Sequence, residues 1–205
     1  LAEEMRDFLG CQHIESRVIS GQMANMTVFS ALVDFRNRTE RRSEPGRMSL
    51  VMNNHIGKGG HLSSQPMGAL RDYVAKDPVT EKYSVLNFPV QKDNPYCIDL
   101  EETAGLLERF DPELIILGKS MILHPEPVAA IRKLLDMKSS RPILVYDMAH
   151  VIGLIGQHFQ DPFGEGADIV TGSTHKTLFG SQRGVIGADF EGETPEFELW
   201  KAIQR

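Results

Sequence analysis

Two short stretches, Asp147-Met148-Ala149-His150 and Ser173-Thr174-His175-Lys176-Thr177, decide the fold class of this chain. Each comes after a short apolar run, residues 143–146 before the first stretch and residues 167–170 before the second. Runs of this length and composition are typical of β-strands, so both stretches are predicted to begin where a strand ends. Ligands of open α/β sheets bind at the carboxyl ends of the strands, and chemistry is therefore expected at this edge.

Strands and helices are predicted to alternate along most of the chain. The predicted strands cover residues 48–52, 83–90, 114–117, 143–146, 167–170 and 184–188, and the predicted helices cover residues 1–9, 22–33, 66–74, 100–110, 128–137 and 196–205. This alternation predicts an α/β fold with a mainly parallel sheet and helices on both of its faces. Residues 36–47 are charged and rich in turn formers, which predicts a solvated loop.

Composition and charge exclude several classes of function. The 205 residues are 41% hydrophobic and 24% charged, as in an ordinary globular domain, and the formal charge of −6 argues against a nucleic-acid partner. The apolar runs are too short for a transmembrane helix, so no membrane partner is expected. Cys11 and Cys97 match no metal-binding spacing, and free thiols in a reducing cytoplasm are the expectation.

Both ends of the chain have the sequence pattern of helices. The first nine residues resemble a helix already in progress, and the last ten form a helical pattern without a cap. We therefore expect the 205 residues to be a piece of a longer polypeptide.

Asp147 and Lys176 are the residues with the clearest chemical potential. A carboxylate can pair with a pyridinium nitrogen, and a lysine can form a Schiff base; a pyridoxal phosphate enzyme needs both groups. The lysine must be partly deprotonated, which burial and a neighbouring positive ring both favour. Either residue alone is more often an ordinary surface side chain. Their joint position at strand ends predicts a pyridoxal phosphate site.

The residues that begin the second predicted helix, Ser20-Gly21-Gln22, form a candidate phosphate site. A serine–glycine turn at a helix N-terminus offers free amide groups and the positive end of the helix dipole. Serine is also a common helix N-cap, so this motif is weak by itself. His175 is a second candidate for the phosphate, and Ser173 and Thr174 add hydroxyl donors.

Three further residues are expected around the cofactor ring. Paired glycines precede His61 and permit a close backbone approach, so its imidazole could lie flat on a planar ring. Ser120 follows the strand at 114–117, where its hydroxyl could donate a hydrogen bond into the site. His150 lies in the turn after Asp147 and could reach the ring oxygen or the substrate.

Taken together, these motifs resemble serine hydroxymethyltransferases, which are pyridoxal phosphate enzymes of fold type I. The similar segments are Ser-Gly-Gln-Met-Ala-Asn (20–25), Gly-Gly-His-Leu (59–62), Gly-Lys-Ser (118–120), Asp-Met-Ala-His-Val-Ile-Gly-Leu (147–154) and Gly-Ser-Thr-His-Lys-Thr-Leu-Phe-Gly (172–180). The last two segments are specific and the first three are supportive. Residues 159–168 and 180–184 are more similar to archaeal-type members than to the common bacterial ones.

The resemblance implies that residues 1–205 are the cofactor-binding large domain and that the cofactor is pyridoxal 5'-phosphate. It implies transfer of a hydroxymethyl unit between serine and a tetrahydrofolate-like or tetrahydromethanopterin-like carrier, giving glycine, in a homodimer or larger assembly. The implied catalytic residues are Lys176, His61, Asp147 and His150. The implied cofactor-binding residues are Ser20, Gly21, Gln22, His61, Ser120, Asp147, His150, Ser173, His175 and Lys176. No metal is implied.

The chain also departs from the family pattern. Gln22 stands where the family usually has serine, and Ser64 stands where it often has histidine. The family's N-terminal arm, with its tyrosines and catalytic glutamate, lies outside these residues, as does the C-terminal arginine that grips the substrate carboxylate. The 205-residue piece is therefore expected to be a poor catalyst by itself.

Two alternatives remain open at this point. A related pyridoxal phosphate enzyme, such as a threonine aldolase, a threonine transaldolase or an aminotransferase, would share Lys176 and Asp147, because the cofactor carries the difficult chemistry. A non-catalytic binding or scaffold role is the other alternative.

Overall fold

A single seven-stranded sheet organises the protein, in the strand order β1-β7-β6-β5-β4-β2-β3. We analysed a computed structural model that describes residues 1–39, 46–157 and 159–205. The strands are β1 His13–Glu15, β2 Val51–Asn53, β3 Val85–Asn87, β4 Leu114–Leu117, β5 Ile143–Asp147, β6 Ile169–His175 and β7 Phe179–Ala188. Strands β2 to β6 pair in parallel, and β7 pairs antiparallel with both β6 and β1.

Five α-helices are described along the chain. They are α1 Ala2–Leu9, α2 Gly21–Thr39, α3 Leu100–Arg109, α4 Val128–Asp136 and α5 Pro195–Ile203. Short 3-10 turns lie at Ile56–Lys58, Leu62–Ser64, Ala69–Asp72 and Ile152–Leu154. Among the helices in the described ranges, none has the length and apolar character needed to cross a membrane.

Hydrophobic cores lie on both faces of the sheet, because consecutive strand residues point to opposite sides. On one face, Ile116 and Val145 pack with Phe29 of α2 and Trp200 of α5. On the other face, strand residues pack with buried residues of α1, α3 and α4, such as Leu9, Leu107 and Ile131. The central strands β4 and β5 are buried along their whole length, as expected for a parallel sheet covered on both faces.

The predicted α/β class is confirmed, and most elements lie where the sequence placed them. The exceptions within the sheet are mainly at its ends and edges. The prediction missed β1 and the start of β7, which with β6 forms an antiparallel hairpin instead of one more parallel crossover. The strand predicted at 48–52 is displaced to Val51–Asn53.

The helix predicted at 66–74 is wrong. Only a 3-10 turn, Ala69–Asp72, forms there, because the flanking backbone is engaged elsewhere. Tyr73 accepts a hydrogen bond from the Met48 amide, and Val74 forms a parallel bridge with Met48. These bonds to another part of the chain replace the continuing helical ladder.

The loop predicted at residues 36–47 is wrong in its first part. Residues 36–39 continue α2, which ends at Thr39. Residues 40–45 of that prediction lie outside the described part of the chain. Helix propensity in the charged residues of the last turn outweighs the turn formers that follow it.

The residues after β4 and the end of β5 approach each other closely at the carboxyl edge. A Cβ atom added to Gly118 would lie 2.7 Å from Asp147 Cβ and 2.9 Å from the Asp147 carbonyl oxygen. Both contacts are shorter than real Cβ contacts, so a glycine is required at this position. The backbone after β4 therefore packs directly against the residue that ends β5.

We predict that Gly118→Ala destabilises the protein and that Gly105→Ala does not. The first substitution forces rigid backbone and Asp147 apart, at a cost of about 1–3 kcal/mol in the free energy of unfolding. A Cβ at Gly105, inside α3, meets nothing within 4 Å. Alanine there should stabilise the helix by about 0.5–1 kcal/mol. Urea denaturation measures both; equal stabilities would contradict the close approach.

Candidate active site

The carboxyl edge of the sheet gathers polar residues from distant parts of the sequence. Asp147 is the last residue of β5, and Lys176 directly follows the end of β6. His61 lies in the connection from β2 to β3, and Ser20 lies immediately before α2. Topology brings them together because β5 and β6 are adjacent parallel strands and α2 begins above them.

The Asp147 carboxylate is the buried centre of this group. It is 1% exposed, and its Oδ2 accepts hydrogen bonds from Asn25 Nδ2 at 2.8 Å and Ser63 Oγ at 2.9 Å. His61 Nδ1 lies 2.5 Å from the same oxygen, and Oδ1 accepts the Ala149 amide at 3.1 Å. Burial by itself would raise the pKa of Asp147. The hydrogen bond and charge of His61, with the Asn25 amide, outweigh burial and lower the pKa below its ordinary value.

The sequence analysis gave no role to three residues that support this carboxylate, namely Asn25, Ser63 and Thr171. Asn25 of α2 accepts a hydrogen bond from Thr171 Oγ1 at 2.6 Å and donates to Ser63 at 2.7 Å as well as to Asp147. All three are buried polar side chains. An asparagine on the apolar face of a helix was the signal that could have revealed this network, since buried amides need partners.

Two histidine side chains connect Asp147 to Lys176. The rings of His61 and His150 meet edge to face with centroids 5.0 Å apart. His150 Nε2 lies 3.4 Å from Lys176 Nζ. A path of ionisable groups therefore runs from the buried carboxylate to the amine at the surface.

Two ionisable groups on this path, Lys176 and His150, have pKa values that are lowered toward their neutral forms. Burial lowers the pKa of Lys176 below its ordinary value, and the charge of Asp147 only partly opposes the shift. Burial also lowers the pKa of His150, and the nearby Lys176 and His61 add to the effect. The cofactor-free site therefore favours a neutral imidazole beside an amine that releases its proton more readily than an ordinary lysine.

The start of α2 forms a polar cradle beside Lys176. Ser20 caps the helix, since its Oγ accepts the Met23 amide at 3.1 Å. A Cβ on Gly21 would lie 2.4 Å from Ser173 Oγ, so glycine lets the helix start approach β6. A cavity of about 430 Å³ opens here, lined by Ser20, Gly21, Gln22, His61, Leu62, Ser63, Met67, Gly68, Ser173, His175, Lys176 and Gln182.

Most of the predicted site residues lie in or around this cavity. Asp147 lies below it, behind His61, and His150 contacts Lys176 at its side. Ser120 is exposed beside the site and does not line this cavity, although its amide donates to Gly59 at 2.8 Å. Thr174 turns away, because its hydroxyl donates to the carbonyl of Ser181 across the hairpin at 2.6 Å. Roles for all of these residues remain predictions.

Comparison with known proteins identifies a family. The family model described as serine hydroxymethyltransferase matches residues 6–191. The serine hydroxymethyltransferase of Archaeoglobus fulgidus is 34% identical over 187 residues, which are 91% of this chain and 37% of that protein. The Thermococcus kodakarensis protein of the same name is 35% identical over 188 residues, 91% of this chain and 38% of that protein.

A third relative and one solved structure extend the comparison. The Korarchaeum cryptofilum serine hydroxymethyltransferase is 34% identical over 200 residues, 96% of this chain and 43% of that protein. The crystal structure of L-threonine transaldolase from Pseudomonas fluorescens in the internal aldimine state superposes with a TM-score of 0.75 at 25% identity. It covers 98% of this chain and 40% of the other. The chain thus spans about two fifths of the length of these relatives, and the expected likeness to archaeal members is confirmed.

We predict that Asp147 makes stability depend on acid pH. Its folded-state pKa lies below the ordinary value of 3.8, so its contribution is present above that value and is lost as the pH falls through the folded-state pKa. Between about pH 6 and about pH 2, Asp147→Asn should therefore lose less free energy of unfolding than the wild type.

Urea denaturation at each pH measures this difference. The exposed Asp93→Asn substitution controls for the loss of one acidic group. An acid dependence that is identical in the wild type and Asp147→Asn would show that the carboxylate is not held as an anion.

Proposed function

The chain belongs to the serine hydroxymethyltransferase family, and from this premise we propose that residues 1–205 are the cofactor-binding domain of a pyridoxal phosphate enzyme. The enzyme would move a hydroxymethyl unit between serine and a tetrahydropterin carrier and form glycine. The observation that carries the proposal is that the buried Asp147 carboxylate connects through two histidines to Lys176, an amine of lowered pKa that lines the cavity.

The donor set fits pyridoxal phosphate. The free amides at the start of α2, with Ser20, Gly21, Gln22, Ser173 and His175, offer donors for a phosphate beside Lys176. Asp147 is held as an anion at the base of the site and is suited to a protonated ring nitrogen. When bound, the cofactor supplies an electron sink for bonds at the substrate α-carbon.

Lys176 provides the amine that attaches the cofactor covalently. Its burial lowers the pKa, so the neutral form needed for attachment is reached at a lower pH than in a free lysine. His150 Nε2, at 3.4 Å, is placed to accept a proton from Lys176 Nζ and to return it. Because burial keeps His150 mostly neutral, it remains able to act as this acceptor.

His61 must change partners for Asp147 to serve the cofactor. Its Nδ1 occupies the same Oδ2 that Asn25 and Ser63 already contact. With the cofactor bound, Asp147 would hold the ring nitrogen through this oxygen, and His61 would give up its bond to Oδ2 and contact the ring instead. Ser120, exposed at the site margin, would contact the ring oxygen or the substrate together with His150.

Family membership supports a proposal for the substrates, the partners and the location. We propose serine or glycine as the amino-acid substrate, a tetrahydrofolate-like or tetrahydromethanopterin-like carrier, a homodimer or larger assembly, and a cytoplasmic location. Further segments of the complete protein would supply the cation that binds the substrate carboxylate.

A threonine-cleaving activity is the second candidate. It is favoured by the structural likeness to the Pseudomonas fluorescens L-threonine transaldolase, at a TM-score of 0.75. Lys176 and Asp147 serve either reaction, because the cofactor carries the chemistry and the surrounding pocket selects which bond breaks. Product analysis with serine, threonine and a pterin carrier distinguishes the two activities.

We predict that borohydride reduction of the protein loaded with pyridoxal phosphate labels Lys176. Its lowered pKa and its place at the cavity make it the reactive amine. Peptide mapping identifies the labelled residue, and Lys176→Ala should abolish both the label and the visible absorbance. The exposed Lys201→Ala variant is the matched control and should label normally. A label on a different lysine would refute the assignment.

We predict that Asp147→Asn in the complete protein lowers turnover much more than cofactor affinity. A charge-assisted hydrogen bond to the ring nitrogen contributes about 1.5–3 kcal/mol, which asparagine cannot supply. The phosphate cradle and Lys176 remain, so binding persists. Equilibrium titration and steady-state rates of serine cleavage measure the two effects. Near-normal turnover in this variant would remove Asp147 from the mechanism.

A further inference from the structure

A buried ion pair lies beside the candidate active site but outside its cavity. Lys119 Nζ is 2.5 Å from Glu126 Oε1, and both side chains are at most 3% exposed. Lys119 also donates to the Tyr96 carbonyl at 2.7 Å. Burial raises the pKa of Glu126, and the charge of Lys119 opposes that shift.

The pair belongs to a network of polar groups that are themselves buried. Asn54 Nδ2 lies 3.4 Å from Glu126 Oε2, and Asn54 Oδ1 accepts the Gly118 amide at 2.8 Å. Gln160 accepts the Glu126 amide and donates to the Glu126 carbonyl. The network thus joins the segment after β4, the connection after β2 and the loop before α4.

Backbone hydrogen bonds connect the segment that contains Lys119 to the segment that contains His61. Gly60 and Lys119 form an antiparallel bridge, and the Ser120 amide donates to the Gly59 carbonyl at 2.8 Å. The His61 amide donates to the Gly118 carbonyl at 3.1 Å. Residues 59–61 are therefore held in register with residues 118–120. This register constrains the position of the His61 backbone, and so of its imidazole, relative to Asp147.

We propose that Lys119 and Glu126 are positioning residues for the active site: their buried ion pair holds residues 118–120 and, through them, the His61 imidazole in place. The proposal rests on the proposed function for the meaning of His61 but concerns a structural linkage that can be measured without cofactor. Neither residue touches the cavity, so neither is a catalytic residue.

Stability alone does not account for two charges at this location. The desolvation of a buried pair offsets much of its Coulomb attraction, and apolar residues of similar volume are often as stabilising. Lys119 also binds a backbone carbonyl, and Glu126 belongs to a polar network. These additional hydrogen bonds specify one arrangement of the surrounding loops. The ion pair lies next to the backbone pairing between two segments. Residues 118–120 include Ser120, and residues 59–61 include His61.

A second buried ion pair provides a matched control. Arg132 of α4 lies 3.2 Å from Asp168, and these residues are 8% and 4% exposed. Asp168 precedes β6 and therefore lies at the amino end of that strand, away from the candidate active site. Removing Arg132 should also weaken the fold, although Asp168 keeps its ion pair with Arg141. It should not move His61, because in the described part of the chain the side-chain partners of this pair are Asp136, Arg141 and the Leu144 amide, which lie outside residues 59–61.

The first test uses the cofactor-free protein. The ¹⁵N resonances of the His61 imidazole, assigned by their loss in His61→Gln, report its hydrogen bond to Asp147. In Lys119→Met these resonances should shift, and in Arg132→Met they should stay at their wild-type positions. If Lys119→Met does not fold, Lys119→Met/Glu126→Leu removes both charges together, and the same shift is expected. Unchanged His61 resonances, or an equal shift in Arg132→Met, overturn the proposal.

The second test uses the complete protein loaded with pyridoxal phosphate. In Lys119→Met the visible circular dichroism per bound cofactor should fall and turnover should drop by up to about 100-fold, because small displacements of site residues are costly. In Arg132→Met both should be near normal despite a lower melting temperature. Normal dichroism and turnover in Lys119→Met also overturn the proposal. A wild-type protein that shows no visible band refutes the proposed function, while the imidazole resonances still decide the linkage.

Discussion

The buried carboxylate of Asp147 is the interaction on which the arrangement of the site depends. An anion at the end of a central strand is tolerated only when donors surround it, and Asn25, His61 and Ser63 supply them. Asn25 comes from α2, whereas His61 and Ser63 come from the connection after β2, so satisfying one charge fixes both elements against the sheet. The same hydrogen bonds keep the group ionised, which is the state that a pyridinium nitrogen requires.

Close backbone approaches make this convergence possible. Gly118 lies against Asp147 nearer than a Cβ atom would allow, and Gly21 lies against Ser173, where a Cβ atom would crowd the serine hydroxyl. The first contact brings the segment after β4 to the base of the site, and the second brings the start of α2 to β6. The two glycines thus allow the elements at the carboxyl edge of the sheet to pack close together around the cavity.

Lys176 lies in the short turn of the β6–β7 hairpin and not in a long crossover connection between parallel strands. The strand continues to His175, and the chain then reverses within a few residues to pair with itself. The Lys176 amine consequently lies at a short turn, partly shielded and close to His150. That partial burial lowers the pKa of Lys176 without removing the side chain from the cavity.

The α/β class, most strands and helices, and the resemblance to a family could be predicted from the sequence, because these depend on local periodicity and on motifs that are recognised residue by residue. Asp147, Lys176 and His61 could be named as candidate site residues for the same reason. The folded structure was needed to show that Asn25 and Ser63 hold the carboxylate, that Ser120 lies outside the cavity, and that Lys119 pairs with Glu126. Those contacts join residues far apart in the chain, and burial and hydrogen-bond satisfaction that arise on folding select them.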